Sequence, residues 1–233
     1  VVGFFPANSI DFDDINIYTD EQRSDVRLQL HGIRQQMFKK GDSNLCLSDY
    51  LQPEESGVAD YVGAFIVTTG IGIEEKIAEF EAQHDDYNSI MLKAVADRLA
   101  EAFAELMHKK VRRELWAYAA DESLTNEELI AEEYQGIRPA PGYPACPDHT
   151  EKALLWQLLD ADQRSAVTLT DSFAMYPASS VSGFYFAHPD ARYFGTGRIG
   201  QDQIEAYARR KDMTKKEVER WLSPVLGYEP DDS

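Results

Sequence analysis

Ten consecutive residues, Arg138-Pro139-Ala140-Pro141-Gly142-Tyr143-Pro144-Ala145-Cys146-Pro147, constrain this chain more than any other stretch. Four prolines remove four backbone donors and fix four φ angles, so the segment is neither a helix interior nor a central strand. A stiff, partly extended run is expected, with Gly142 the position free to bring backbone close to a ligand. A guanidinium, Arg138, stands at one end and a phenol, Tyr143, beside the glycine. A segment this rigid loses little entropy when something binds to it. The plainer alternative is a proline-rich connector that only crosses a surface.

At 233 residues the chain is long enough for one large domain or two small ones, with a sizeable core. Val1 opens directly into an apolar run, which suggests a piece of a longer polypeptide. The net charge of −18, from 41 acidic and 23 basic residues, would repel a phosphate backbone and argues against nucleic-acid binding. It is compatible with a cationic ligand where acids line the pocket. No apolar run approaches the ~20 residues needed to span a bilayer, and no signal-peptide pattern is present. Cys46 and Cys146 lie 100 positions apart, which fits free thiols in a reducing cytoplasm better than a disulfide scaffold.

Periodicity and punctuation predict mixed elements. Residues 1–5, 14–18 and 61–69 read as strands, 6–9 as a turn, and 21–39 as a helix weakened by Gly32. From about 74 to 116 helix dominates, with Leu92, Val95, Leu99, Phe103 and Leu106 on one apolar stripe. Asp97, Glu101 and His108 form a polar line on another side. Thr125 or Asn126 caps a short helix that delivers the chain to Arg138. A helix over 149–159 follows, then strands at 169–176, 182–187 and 193–198 as an antiparallel meander. Helices at 201–211 and 214–222 close the chain. The pattern predicts an α+β fold, a central antiparallel twisted β-sheet flanked by helices, in a single domain over residues 1–233.

Several local patterns carry chemistry elsewhere. Gly195-Thr196-Gly197-Arg198-Ile199-Gly200 satisfies the dinucleotide fingerprint, but two helices follow it where a second parallel strand and a ribose-binding acid are required. A turn is the better account, and a nicotinamide oxidoreductase is a distant rival. Cys146-Pro147-Asp148-His149 and His84-Asp85-Asp86 hold potential metal ligands without the paired spacing of a zinc site, so capping or hydrogen bonding is preferred. No Gly-x-Ser-x-Gly elbow supports a hydrolase.

The run from Tyr134 through Arg138, Gly142 and Tyr143 to Lys152 closely resembles the signature of the S-adenosylmethionine-binding activation domain of cobalamin-dependent methionine synthase. Its core is an arginine, three residues, then Gly-Tyr. Further runs are similar: Val2-Gly3-Phe4-Phe5-Pro6-Ala7-Asn8, Ala59–Phe65, Glu81–Tyr87, Ala96–Glu105, Asp171–Met175 and Ser182–Phe186. The resemblance covers nearly the whole chain, except that the family carries a further N-terminal helical stretch with a ligand-contacting aspartate that nothing here matches.

The resemblance implies that Arg138 holds the carboxylate of the methionine moiety as a bidentate fork. It implies that Glu101 favours the ligand's amino group or sulfonium, and that Ala140 offers backbone hydrogen bonds to the adenine beside Gly142. Tyr143 and Tyr193 would supply apolar contact and cation–π attraction. The implied activity is reductive methylation, the reactivation of cob(II)alamin, within a 5-methyltetrahydrofolate–homocysteine methyltransferase of methionine biosynthesis. Cobalamin would be bound by another domain of the parent enzyme, zinc would occur only in that parent, and a flavodoxin-type donor would supply the electron. The fragment alone is not expected to turn over. A non-catalytic ligand-sensing or docking module is the alternative.

Overall fold

Strands and α-helices come in blocks along the chain: four strands, five helices, three strands and two helices among the described residues. The strands are β1 (Val2–Ile10), β2 (Asp14–Tyr18), β3 (Val26–His31), β4 (Tyr61–Thr68), β5 (Thr168–Leu169), β6 (Met175–Tyr176) and β7 (Ser180–Tyr185). The helices are α1 (Ile73–Ala82), α2 (Asp86–Lys110), α3 (Asn126–Ile130), α4 (Glu151–Leu159), α5 (Ala161–Arg164), α6 (Gln201–Lys211) and α7 (Lys215–Leu222). The computed structural model describes residues 1–230. Five strands form an antiparallel sheet in the order β3-β2-β1-β4-β7, so the expected class, an antiparallel sheet with flanking helices, is met. The chain divides into two compact units: Val1–Gly3, Ala64–Tyr134 and Leu155–Gly183 in the first; Phe4–Gly63, Gln135–Leu154 and the stretch from Phe184 onward in the second. Strands β1, β4 and β7 are each divided between them.

In the second unit β1, β2 and β3 form a meander, with Ala7 opposite Ile17 and Ile15 opposite Leu30. The helix expected over 21–39 is absent. Val26, Leu28 and Leu30 alternate with polar residues, and the two-residue period wins because Ile15 and Ile17 supply an apolar partner strand. Gly32 ends the meander where a Cβ would lie 2.3 Å from the Asp13 carbonyl oxygen. The turn expected at 6–9 is also absent: Pro6 lies within β1, just before the residues paired with β2. Helices α6 and α7 bury Ile204, Tyr207, Val218 and Leu222 against Ile33, Ile199 and Leu226. The Thr214 hydroxyl and the Glu217 carboxylate cap α7 reciprocally.

In the first unit the long helical region breaks at Gln83-His84-Asp85, where His84 adopts φ +55° and Asp85 caps α2 by accepting from the Asn88 N–H. The face that α2 buries is not the one its large apolar residues mark. Ala96, Ala100, Ala104 and His108 are buried, while Val95, Leu99, Phe103 and Leu106 are exposed. Small side chains let the helix sit close, as the bond from the Thr69 hydroxyl to the Ala96 carbonyl at 2.7 Å shows. A turn of π-helix, Val111–Leu115, follows α2 and contains the fully buried Arg112. Arg112 forks onto Glu122 at 2.6 and 2.8 Å and stacks 4.3 Å over Tyr134, where the signature run begins. The three-strand meander expected after α4 is reduced to β5–β6, a hairpin of two-residue strands, and to β7. Residues 193–198, expected as a strand, form an irregular loop.

Candidate ligand site on the proline segment

The proline segment is an extended edge. The Ile137 N–H donates to Phe186 O and the Phe186 N–H to Ile137 O, both at 3.0 Å, and the Phe184 N–H donates to Pro139 O at 2.9 Å. Prolines are tolerated here because the pairing with residues 184–186 beyond Ile137 uses only the Pro139 carbonyl as an acceptor. Its residues alternate as a strand's do: Ile137, Pro139 and Pro141 are buried, while Arg138, Ala140 and Gly142 are partly exposed on the other side. Three of the residues implicated by resemblance therefore share one face.

A tight double turn follows. The Gly142 N–H donates to Cys146 O at 2.7 Å, the Tyr143 N–H to Ala140 O at 3.1 Å, and the Cys146 N–H to Tyr143 O at 2.9 Å. Gly142 is required twice over. Its φ is +92°, and a Cβ there would lie 2.2 Å from the His149 ring. His149 is held below its ordinary pKa, first by burial and then by the charge of Lys152, so it is mainly neutral at pH 7.

Tyr193 comes to the same edge from the 192–198 loop. Its hydroxyl accepts the Arg138 backbone N–H at 3.0 Å. The loop is pinned behind by Tyr50, whose hydroxyl donates to Arg192 O at 3.1 Å and whose ring meets Phe194 edge-on. Gly195-Thr196-Gly197 lies against the proline segment, with the Thr196 N–H on Pro144 O at 3.0 Å. Tyr143 is 61% exposed, which excludes a core role, and it lines a hollow of about 410 Å³ with Gly142, Pro144, His149, Thr196 and Trp221. Arg138, Ala140 and Tyr193 are not among that hollow's lining residues. Glu101 lies in the other compact unit, exposed on α2.

Residue-by-residue reading missed the brace beneath the turn. Asp148 accepts from the Thr150 N–H at 2.8 Å, an Asx-type cap at the entrance to α4, and is buried rather than superficial. The Lys211 ammonium, at the end of α6, donates to Asp148 at 2.7 Å, to the Thr150 hydroxyl at 2.6 Å, and to Glu151. The Tyr207 hydroxyl donates to Asp148 at 2.8 Å. Burial pushes Glu151 above its ordinary pKa against the pull of Lys211. The burial penalty on Asp148 is outweighed by Lys211 and the Thr150 bonds, which hold it low. The signal was the acid pair in Asp148-His149-Thr150-Glu151, but its cation, Lys211, is one of the basic run Arg209-Arg210-Lys211, and nothing local connects positions 60 residues apart. Among the described residues, no group of three or more His, Cys, Asp or Glu side chains is placed to hold a metal ion.

This fold is shared with a solved structure, "Crystal Structure of the MetH Reactivation Domain bound to AdoHcy". It is 58% identical, with a TM-score of 0.95 over 98% of this chain and 70% of that one. The architecture is thus that of a reactivation domain. The profile of the family described as "Vitamin B12 dependent methionine synthase, activation domain" matches residues 1–212. The chain belongs to that family.

Proposed function

We propose that the chain binds S-adenosylmethionine over the Arg138–Ala140–Gly142 face and presents its methyl group for reductive methylation of cobalamin carried by another domain of the synthase. One observation carries the reading: alternation along a proline-braced edge puts a guanidinium, an accessible backbone and a glycine side by side, with the Tyr193 hydroxyl fixing the Arg138 N–H. The residues suit the ligand. Arg138 faces its carboxylate as a bidentate donor, the Ala140 backbone meets adenine, and the exposed rings of Tyr143 and Tyr193 meet the sulfonium side. Glu101 keeps the role the resemblance implies, with Glu101→Gln as its test. Cobalamin, when docked, supplies the nucleophilic metal. Methyl transfer from a sulfonium releases no proton, so this chain needs to hold and orient the donor and requires no general base.

The same reading makes the parent a 5-methyltetrahydrofolate–homocysteine methyltransferase, with a flavodoxin-type electron donor and a cytoplasmic setting. The two free, buried cysteines are in keeping with a reducing compartment. Among the described residues no helix is long and apolar enough to cross a membrane.

Isothermal titration with S-adenosylmethionine and S-adenosylhomocysteine tests the binding. Wild type is expected to bind both, with Arg138→Ala weaker by at least about tenfold and Arg138→Lys not restoring affinity, since a charged hydrogen bond contributes about 1.5–3 kcal/mol. No heat at millimolar ligand would sink the reading. Adding the cobalamin domain and a reductant separates presentation from mere sensing: only presentation gives a donor-dependent change in the cobalamin visible spectrum.

A further inference from the structure

Tyr193 stands on a loop without regular secondary structure, so the groups that keep its hydroxyl at the Arg138 N–H include side chains from outside that loop. Two buried ones grip it, one on each flank. Ahead of Tyr193, the Tyr50 hydroxyl donates to Arg192 O at 3.1 Å. Behind it, the Gln35 amide donates through Nε2 to Gly195 O at 2.6 Å. Gln35 is 4% exposed, and burying an amide is costly unless both its donor and its acceptor are used. Its Oε1 accepts the Leu45 N–H at 3.0 Å and the Lys39 ammonium, and the Gln35 N–H donates to Leu45 O at 3.0 Å. An ammonium and a backbone N–H can only donate to Oε1, so the amide has one orientation and its NH2 is committed to Gly195.

We propose that Gln35 is a positioning residue for donor binding: its amide, with the Tyr50 clamp on the other flank, fixes the loop so that Tyr193 is in place before the ligand arrives. The proposal rests on the donor-binding reading above and adds to it a group that acts through Tyr193. A loop already held in its binding geometry loses less entropy on association. Rigid support from buried, fully bonded side chains is what keeps such a contact in register. The Thr196 N–H on Pro144 O ties the same loop to the proline segment, but it leaves the Gly195 carbonyl to Gln35.

Gln35→Glu isolates the clamp. The carboxylate keeps the shape and still accepts from Leu45 and Lys39, but it sets an oxygen against Gly195 O where a donor stood. In the ligand-free chain, amide hydrogen exchange is expected to quicken several-fold at Arg138 and over 193–197 and to stay unchanged in α6 and α7. In isothermal titration Gln35→Glu is expected to bind S-adenosylmethionine at least about fivefold more weakly than wild type. A Tyr193→Ala background is expected to abolish that difference, because the residue through which Gln35 acts is gone. Unchanged exchange at Arg138 overturns the proposal. So does an equal loss of affinity with and without Tyr193, or faster exchange spread over the whole chain, which would make Gln35 a residue of general stability. If wild type binds no S-adenosylmethionine, the donor-binding reading fails, while the exchange rate at Arg138, read without ligand, still decides whether Gln35 sets Tyr193.

Discussion

Three residues at or beneath the ligand face set its shape: Gly142, His149 and Lys211. Gly142→Ala forces a β-carbon into the His149 ring at positive φ, and is expected to destabilise by about 1–3 kcal/mol in denaturant melts. Gly142→Ala with His149→Ala should recover part of that loss, because relief of the clash leaves the backbone strain. Lys211→Met leaves Asp148 and Glu151 facing each other without a cation, and a loss of about 3–5 kcal/mol is expected for a broken buried ion pair. Glu151 titrates in the opposite sense to most carboxylates. Its folded pKa lies above the ordinary 4.5, so the stability its protonation gives is complete below that value and is lost as pH rises through the folded pKa. Stability of wild type relative to Glu151→Gln should therefore fall as pH is raised from 4.5, as equilibrium urea titrations at several pH values would reveal. A rising difference would mean that the carboxylate gains more from Lys211 than burial costs it.

Elements whose signals are local were legible in the sequence. The cap at Thr125, one of the two expected candidates, and the α6 and α7 spans need only neighbouring residues, and they stand where expected, with Thr214 capping α7 rather than opening it. The proline segment was legible as stiff and extended, since proline fixes φ whatever the context. Its pairing with residues 184–186, and hence the sharing of one face by Arg138, Ala140 and Gly142, needed a partner almost 50 residues away. The 21–39 stretch failed for a related reason: helical and strand periods compete there, and the neighbouring strands decide. Helix α2 shows the sharpest inversion, because hydrophobic size suggested one face while closeness of approach selected the alanines. A measurable consequence follows. In this chain Ala100→Leu, which overpacks a 1% exposed position, should cost about 1–3 kcal/mol, whereas Leu99→Ala should change stability by no more than about 0.5 kcal/mol. Thermal melts that reversed this order would show that α2 packs on its large residues after all.

At the scale of the molecule, 41 acidic against 23 basic residues leave a chain whose charges repel one another. Screening shortens that repulsion to within about 8 Å at physiological ionic strength, so the melting temperature should climb by a few degrees between low salt and 0.15 M. A fall would indicate that ion pairs such as Arg34 with Asp13 and Asp49 dominate instead. The clamp of the Tyr193 hydroxyl on the Arg138 N–H, with the imidazole wedged beneath Gly142, also bears on how quickly a guest is received. Nothing on that edge has to rearrange before contact, so stopped-flow traces should be single exponentials whose observed rate climbs in a straight line with guest concentration, without a plateau.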